Sequence, residues 1–174
     1  MTTDQQLQSS VPPSRLRTVM SRFCTGVAVI TGADESGPAG LLVQSLVSVS
    51  LEPPLVLFCP QKTSRSWPRI AATGRFGVNI LSEGQQQLCD AFATSGGDKF
   101  RDVAWRPSGT GTPVLDGRLA YVECDVETVH DAGDHEVVLG RVTALHESGL
   151  DHPLLFYRGR FGRWGGLARL RDGR

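Results

Sequence analysis

The chain has 174 residues, 18 basic and 18 acidic side chains, and an isoelectric point near 6.9. That length suits one domain with its own core, and the charge balance excludes a nucleic-acid groove or a membrane surface as the main partner. No stretch approaches the roughly 20 apolar residues of a membrane span, and the N-terminal MTTDQQLQSSVPPS lacks an apolar signal core, so a cytoplasmic location is expected.

In chain order, residues 1–13 read as a disordered leader, 14–164 as one domain and 165–174 as a frayed tail. Ser14 is placed to cap a helix running to about Phe23, with Leu16, Val19, Met20 and Phe23 on one face. Gly26 ends it. Residues 27–31 form a strand and 34–38 a turn. A strand over 41–50 alternates Gln44, Ser48 and Ser50 against Leu46, Val47 and Val49. Glu52-Pro53-Pro54 must stop it, because proline cannot donate to a ladder and constrains the residue before it. The apolar run at 55–59 suits a buried strand.

Ser64 or Ser66 caps a short helix to Ala72, with Pro68 in its first turn. A strand at 76–81 precedes a helix to Ala93 that opens on a capping-box pair, Ser82 and Gln85. Residues 94–117, rich in Gly, Ser and Pro, read as a long surface loop. Strands at 119–130 and 136–147 are joined by a hairpin at 131–134, and strands at 154–157 and 160–164 close the domain. Many strands and few helices, without alternating βαβ units, point to a mainly β, closed or partly closed antiparallel barrel. No GxGxxG follows a strand, which argues against a Rossmann cofactor site.

Lys62-Thr63-Ser64 offers a cation and two hydroxyls at the start of a helix, a suitable cradle for an anion. Arg65 is a weaker candidate for the same role, since adjacent side chains point differently. Ser48 and Ser50 share one strand face and Ser45 the other; the plain alternative is a row of hydroxyls facing solvent. Of the four histidines, His130 and His135 lie at the H-D-A-G-D-H hairpin, and His146 and His152 carry no functional signal. No metal site is expected, because three or four converging ligands are needed and no cysteine lies near the hairpin. Cys24, Cys59, Cys89 and Cys124 lack CxxC spacing and read as buried free thiols. The only lysines are Lys62 and Lys99, against sixteen arginines.

The segment SVSLEPPLVLFCP followed by KTSRSW resembles the flavin reductase family, the small components of two-component flavin monooxygenases. FCTGVAVIT, GRFGVNIL, LCDAFATSGGDKF, GTPVLDGRLAYVECDVETVHDAGDHEVVLGRV and PLLFYRGRFGRW follow the same family in the right order, over roughly residues 14 to 164. The resemblance implies a Greek-key, FMN-binding split barrel, homodimeric, with flavin near the subunit interface. It implies an NADH- or NADPH-dependent reductase of FMN or FAD that supplies reduced flavin to a separate monooxygenase acting on an aromatic or steroid substrate. Gln44 and Ser45 are then expected by the isoalloxazine, and Ser48 and Ser50 nearer the phosphate. Lys62, Thr63 and Ser64 would hold that phosphate, and Phe92, Lys99 and Phe100 would cover the flavin. His135 would orient the nicotinamide, and Tyr157 and Arg158 would meet cofactor or the other subunit. No obligatory catalytic acid or base is implied. Leu42 and Val43 depart from the small polar residues of many relatives. The alternatives are a flavin-storage or pyridoxamine-phosphate-oxidase-like barrel without reductase activity, or a structural partner that has lost flavin.

Overall fold

The structure is a computed structural model that describes residues 11–94, 96–150 and 152–165. The expected leader (residues 1–10 of it) and the tail beyond Gly165 lie outside the described residues. Helix α1 (Pro13–Met20) has proline in its first turn, where a fixed φ suits a helix and the missing N–H is not needed. Ser14 therefore lies inside the helix instead of capping it. The apolar stripe does not face the core: Leu16, Val19 and Met20 are exposed, and Phe23 is 70% exposed. Periodicity tells which side of a helix is apolar, not which body covers it.

Strands β1 (Thr25–Gly26), β2 (Ala28–Asp34) and β3 (Gly37–Val43) follow. The turn between β2 and β3 is tighter than expected, with the Ser36 N–H donating to Asp34 Oδ1 (2.9 Å) and Gly37 at φ +101°. Pro38 consequently falls inside β3, which is an edge strand and needs no N–H there. The single strand expected over 41–50 is two strands, β3 and β4 (Val47–Leu51), broken at Gln44-Ser45-Leu46. At the break the Cys59 N–H donates to Ser45 Oγ (2.8 Å), so the hydroxyl replaces a ladder bond. Glu52 and Pro53 turn the chain into β5 (Pro54–Phe58) as expected.

Helix α2 (Ser66–Ala72) has Arg65 at its N-cap position, and Ser64 just before it accepts the Trp67 N–H on its Oγ (3.2 Å). Strand β6 (Arg75–Ile80) leads into a 3-10 turn (Glu83–Gln85) and helix α3 (Gln86–Ala93). The capping pair holds: the Ser82 N–H donates to Gln85 Oε1 (3.0 Å). The expected loop over 94–117 contains a small hairpin, β7 (Trp105–Pro107) and β8 (Pro113–Leu115). It is fastened to the barrel by Asn79, whose Oδ1 accepts the Leu115 N–H (2.8 Å) while its Nδ2 donates to Thr31 Oγ1 (3.0 Å). Strands β9 (Ala120–Ala132) and β10 (His135–Glu147) form the long hairpin, and β11 (Leu154–Tyr157) and β12 (Arg160–Arg163) a short one.

Seven strands make one antiparallel sheet in the order β3-β2-β6-β9-β10-β5-β4, and β11 joins β1 to β12. The apolar run VAVIT explains its centre. Residues 28–32 of β2 are buried on both faces. Ala28 and Ile30 join a core around Phe58, Trp67, Ile70 and Phe76. Val27 and Val29 join a second core around Leu81, Phe92, Phe100 and Leu115. Helix α2 serves the first core and α3 the second. In the β9–β10 ladder the pairing shifts by one at Glu127 and shifts back at Thr143. Among the described residues no helix is long and apolar enough to cross a membrane.

Candidate functional site

An open cleft of about 490 Å³ lies where four segments converge. They are the end of β3 with the break at Gln44 and Ser45, the loop from Cys59 into the start of α2 at Ser66, the end of α3 at Phe92 and Ala93 with Thr94, Gly96 and Lys99 beyond it, and His135 at the hairpin. The two helices flank it because each covers a different side of β2 and β3. Gly40 lets the Phe92 ring, part of the lining, pack closely on β3: a Cβ there would come within 2.6 Å of the ring.

Of the residues singled out in the sequence, Gln44, Ser45, Thr63, Ser64, Phe92, Lys99 and His135 line this one cleft. Arg65, the weaker cation candidate, lines the cleft, and Lys62 does not. The Lys62 ammonium is paired with Asp131 Oδ2 (2.5 Å). Its hydrogen bond and charge hold the Asp131 carboxyl below the usual carboxylate range. The contact therefore stands at neutral pH and fades as pH falls through that depressed value. Among the described residues no carboxylate pairs with Arg65; its guanidinium lies beside Gly96, with Nη1 3.6 Å from where a Cβ on that glycine would stand. The 69-residue separation of Lys62 and Asp131 is why sequence gave no sign of the exchange.

Lys99 acts as a fastener. Its ammonium donates to Gly40 O (3.0 Å) and Phe92 O (3.2 Å), tying the end of α3 to β3, and burial lowers its pKa. Phe100 is buried edge-on to Phe92 and Trp105 beneath the cleft, so it supports the Phe92 ring from below. His135 Nδ1 lies 2.7 Å from Asp134 Oδ1, which leaves the other ring nitrogen for a ligand. That hydrogen bond and the imidazole charge lower the Asp134 pKa.

Four other candidates lie elsewhere in the chain. Ser48 and Ser50 sit on β4 outside the cleft lining, with a bulge between them. Tyr157 ends β11, half exposed, and Arg158 occupies the following turn at φ +50° beside Gly159 at φ +78°. A two-residue hairpin turn of this kind needs positive φ at both positions, so the Arg158 backbone is committed to the turn. Of the cysteines, Cys89 and Cys124 are buried as expected, with burial pushing their thiols up to about 11 and about 12. Cys59 is half-buried at the cleft wall and Cys24 is exposed, because the segment leaving α1 is uncovered.

A second, more apolar groove of about 720 Å³ adjoins the cleft and shares Gln44 and Ser45 with it. Met20, Phe23, Val47 and Phe156 contribute its apolar wall.

The family model described as a flavin reductase like domain matches residues 20–165. The chain is 51% identical over 152 residues to the flavin-dependent monooxygenase reductase subunit HsaB of Rhodococcus jostii, covering 87% of this chain and 78% of that one. Among solved structures it is similar to a homologue of nitrilotriacetate monooxygenase component B from Mycobacterium thermoresistibile (TM-score 0.85, 48% identity, 91% and 92% of the two chains). It is also similar to a Streptomyces globisporus NADH:FAD oxidoreductase solved with NAD and FAD fragments (TM-score 0.83, 35% identity, 87% and 92% of the two chains). A mainly antiparallel barrel, the motif order from FCTGVAVIT to PLLFYRGRFGRW and these likenesses agree: the chain belongs to the flavin reductase-like domain family.

Proposed function

We propose that this protein is an NADH-dependent flavin reductase that delivers reduced FMN or FAD to a separate monooxygenase. The observation that carries this reading is the cleft itself. It offers hydroxyls from Thr63 and Ser64, the Arg65 guanidinium, which among the described residues has no carboxylate partner, an apolar wall at Leu41 to Val43 and a histidine at its rim. Those residues fit a flavin nucleotide, with the phosphate toward Thr63, Ser64 and Arg65 and the ring over β3 and the Gln44–Ser45 break. Relatives named as a monooxygenase reductase subunit and as an NADH:FAD oxidoreductase support the same reading.

In this reaction the flavin accepts a hydride from the nicotinamide. The protein's part is to bind and orient, which is worth several kcal/mol when two reactants are held in line. Leu42 and Val43 contribute backbone and apolar surface. His135, its Nδ1 directed at Asp134, offers its free nitrogen to the nicotinamide carboxamide. Purified protein is expected to oxidise NADH at 340 nm only when FMN or FAD is added, and faster than it oxidises NADPH. Bound flavin without NADH or NADPH turnover would instead establish a storage protein.

We further propose a homodimer whose seam covers the apolar groove. Its support is the run of exposed apolar side chains on α1 and β4, namely Leu16, Val19, Met20, Val47, Val49 and Leu51, beside exposed Phe23. A second copy seated there would reach the cleft at Gln44 and Ser45, and bring further residues to it. Light scattering should give twice the 18.8 kDa chain mass, and Phe23→Asp should lower it toward one chain. A wild-type mass of one chain at micromolar concentration would refute the dimer.

A further inference from the structure

We propose that Lys62 and Asp131 form a latch that positions His135, and that Lys62 serves the reaction through this latch instead of by touching flavin. The proposal rests on the reading that His135 meets the nicotinamide. The observations are the bonds between the 60–64 loop and the hairpin tip. Lys62 Nζ pairs with Asp131 Oδ2 (2.5 Å), and the Lys62 N–H donates to Asp134 O (3.0 Å). The Glu136 N–H donates to Pro60 O (3.0 Å), and Gln61 bridges to His135. On the barrel side, the buried Trp67 indole N–H donates to Glu136 Oε2 (2.6 Å).

Both chain neighbours of His135 are therefore tied down, Asp134 from the loop and Glu136 from the core. Strand alternation sends the Glu136 side chain toward Trp67 and that of His135 to the cleft. The backbone bonds set the height of the tip, and the Lys62–Asp131 pair is the side-chain tie that closes it. Lys62 and Asp131 are positioning residues on this account. The pair is exposed (39% and 79% for the two side chains), so solvent limits what it contributes. An effect of about two- to fivefold is expected for breaking it, not the loss of activity that a binding cation would show.

The test is charge reversal and its exchange: Lys62→Asp, Asp131→Lys and the double variant, each read by three measurements. Each single variant should raise the NADH KM about two- to fivefold, speed amide hydrogen exchange over residues 131–136, and leave the FMN Kd from flavin fluorescence quenching within about twofold. The double variant should return the NADH KM and the exchange rates to near wild type. A higher FMN Kd in Lys62→Asp that the double variant does not restore would overturn the latch and assign Lys62 to the flavin phosphate. Unchanged exchange and NADH KM in both single variants would overturn it as well. If the wild type oxidises no NADH, the functional reading fails. Hydrogen exchange and FMN titration still decide in that case whether the pair holds the tip.

Discussion

Arg65→Ala is expected to raise the KM for FMN about ten- to a hundredfold while leaving kcat within a few-fold. A charge-assisted hydrogen bond contributes about 1.5–3 kcal/mol, and each 1.36 kcal/mol is tenfold. The expectation falls on Arg65 because the other cations near the cleft are occupied. Lys62 is paired with Asp131 outside the lining, and Lys99 spends two of its three donors on Gly40 and Phe92 carbonyls. Arg65→Lys should recover part of the loss, since it keeps the charge but not the planar fork that matches a phosphate. Riboflavin, which lacks the phosphate, should lose little on the same substitution. An FMN KM unchanged in Arg65→Ala, or a riboflavin KM raised as much, would remove Arg65 from phosphate recognition.

The second large effect is on stability. Asn79→Ala is expected to cost about 2–4 kcal/mol, because it leaves a cavity and strands the Leu115 N–H without its acceptor. Asn79 is fully buried and joins three elements: β6, which carries it; β2, through Thr31 Oγ1; and β8, through Leu115 and Pro113 O (3.3 Å). For a domain of this size the thermal midpoint should fall by roughly 5–15 °C. A shift under about 2 °C would show that the β7–β8 hairpin is held by its apolar contacts alone. Leu115 packs against the same core as Phe92 and Phe100, so a loosened hairpin should also weaken the support beneath the cleft.

Sequence pattern was most informative where local chemistry and tertiary packing agree. The Ser82–Gln85 cap, the Pro53-Pro54 stop, the doubly buried VAVIT run and the long hairpin all appear where their residues demand. It failed where a distant partner decides. The break at Gln44–Leu46 carries no Gly or Pro to announce it; it exists because Ser45 finds the Cys59 backbone. The β7–β8 hairpin was hidden among turn residues, since three-residue strands give no measurable alternation. The stripe on α1 was legible as an apolar face, but its exposure was not, because periodicity does not say what covers a face. At the site, residue types and loop were legible from the motifs. Which of Lys62 and Arg65 faces the cleft was not, because Asp131 makes that choice from the far hairpin.

The two irregularities in the β9–β10 ladder have a joint effect. The pairing is offset by one residue at Glu127 on β9, and the offset is cancelled at Thr143 on β10, so both ends of the hairpin run in the same register. Because side chains alternate with a period of two, a lone insertion or deletion in either strand reverses which residues face inward beyond it. The hairpin thus behaves as a ruler. The base that pairs with β6 and the tip that carries His135 are kept in step by residue count, and the length of one strand is free to change only together with that of the other.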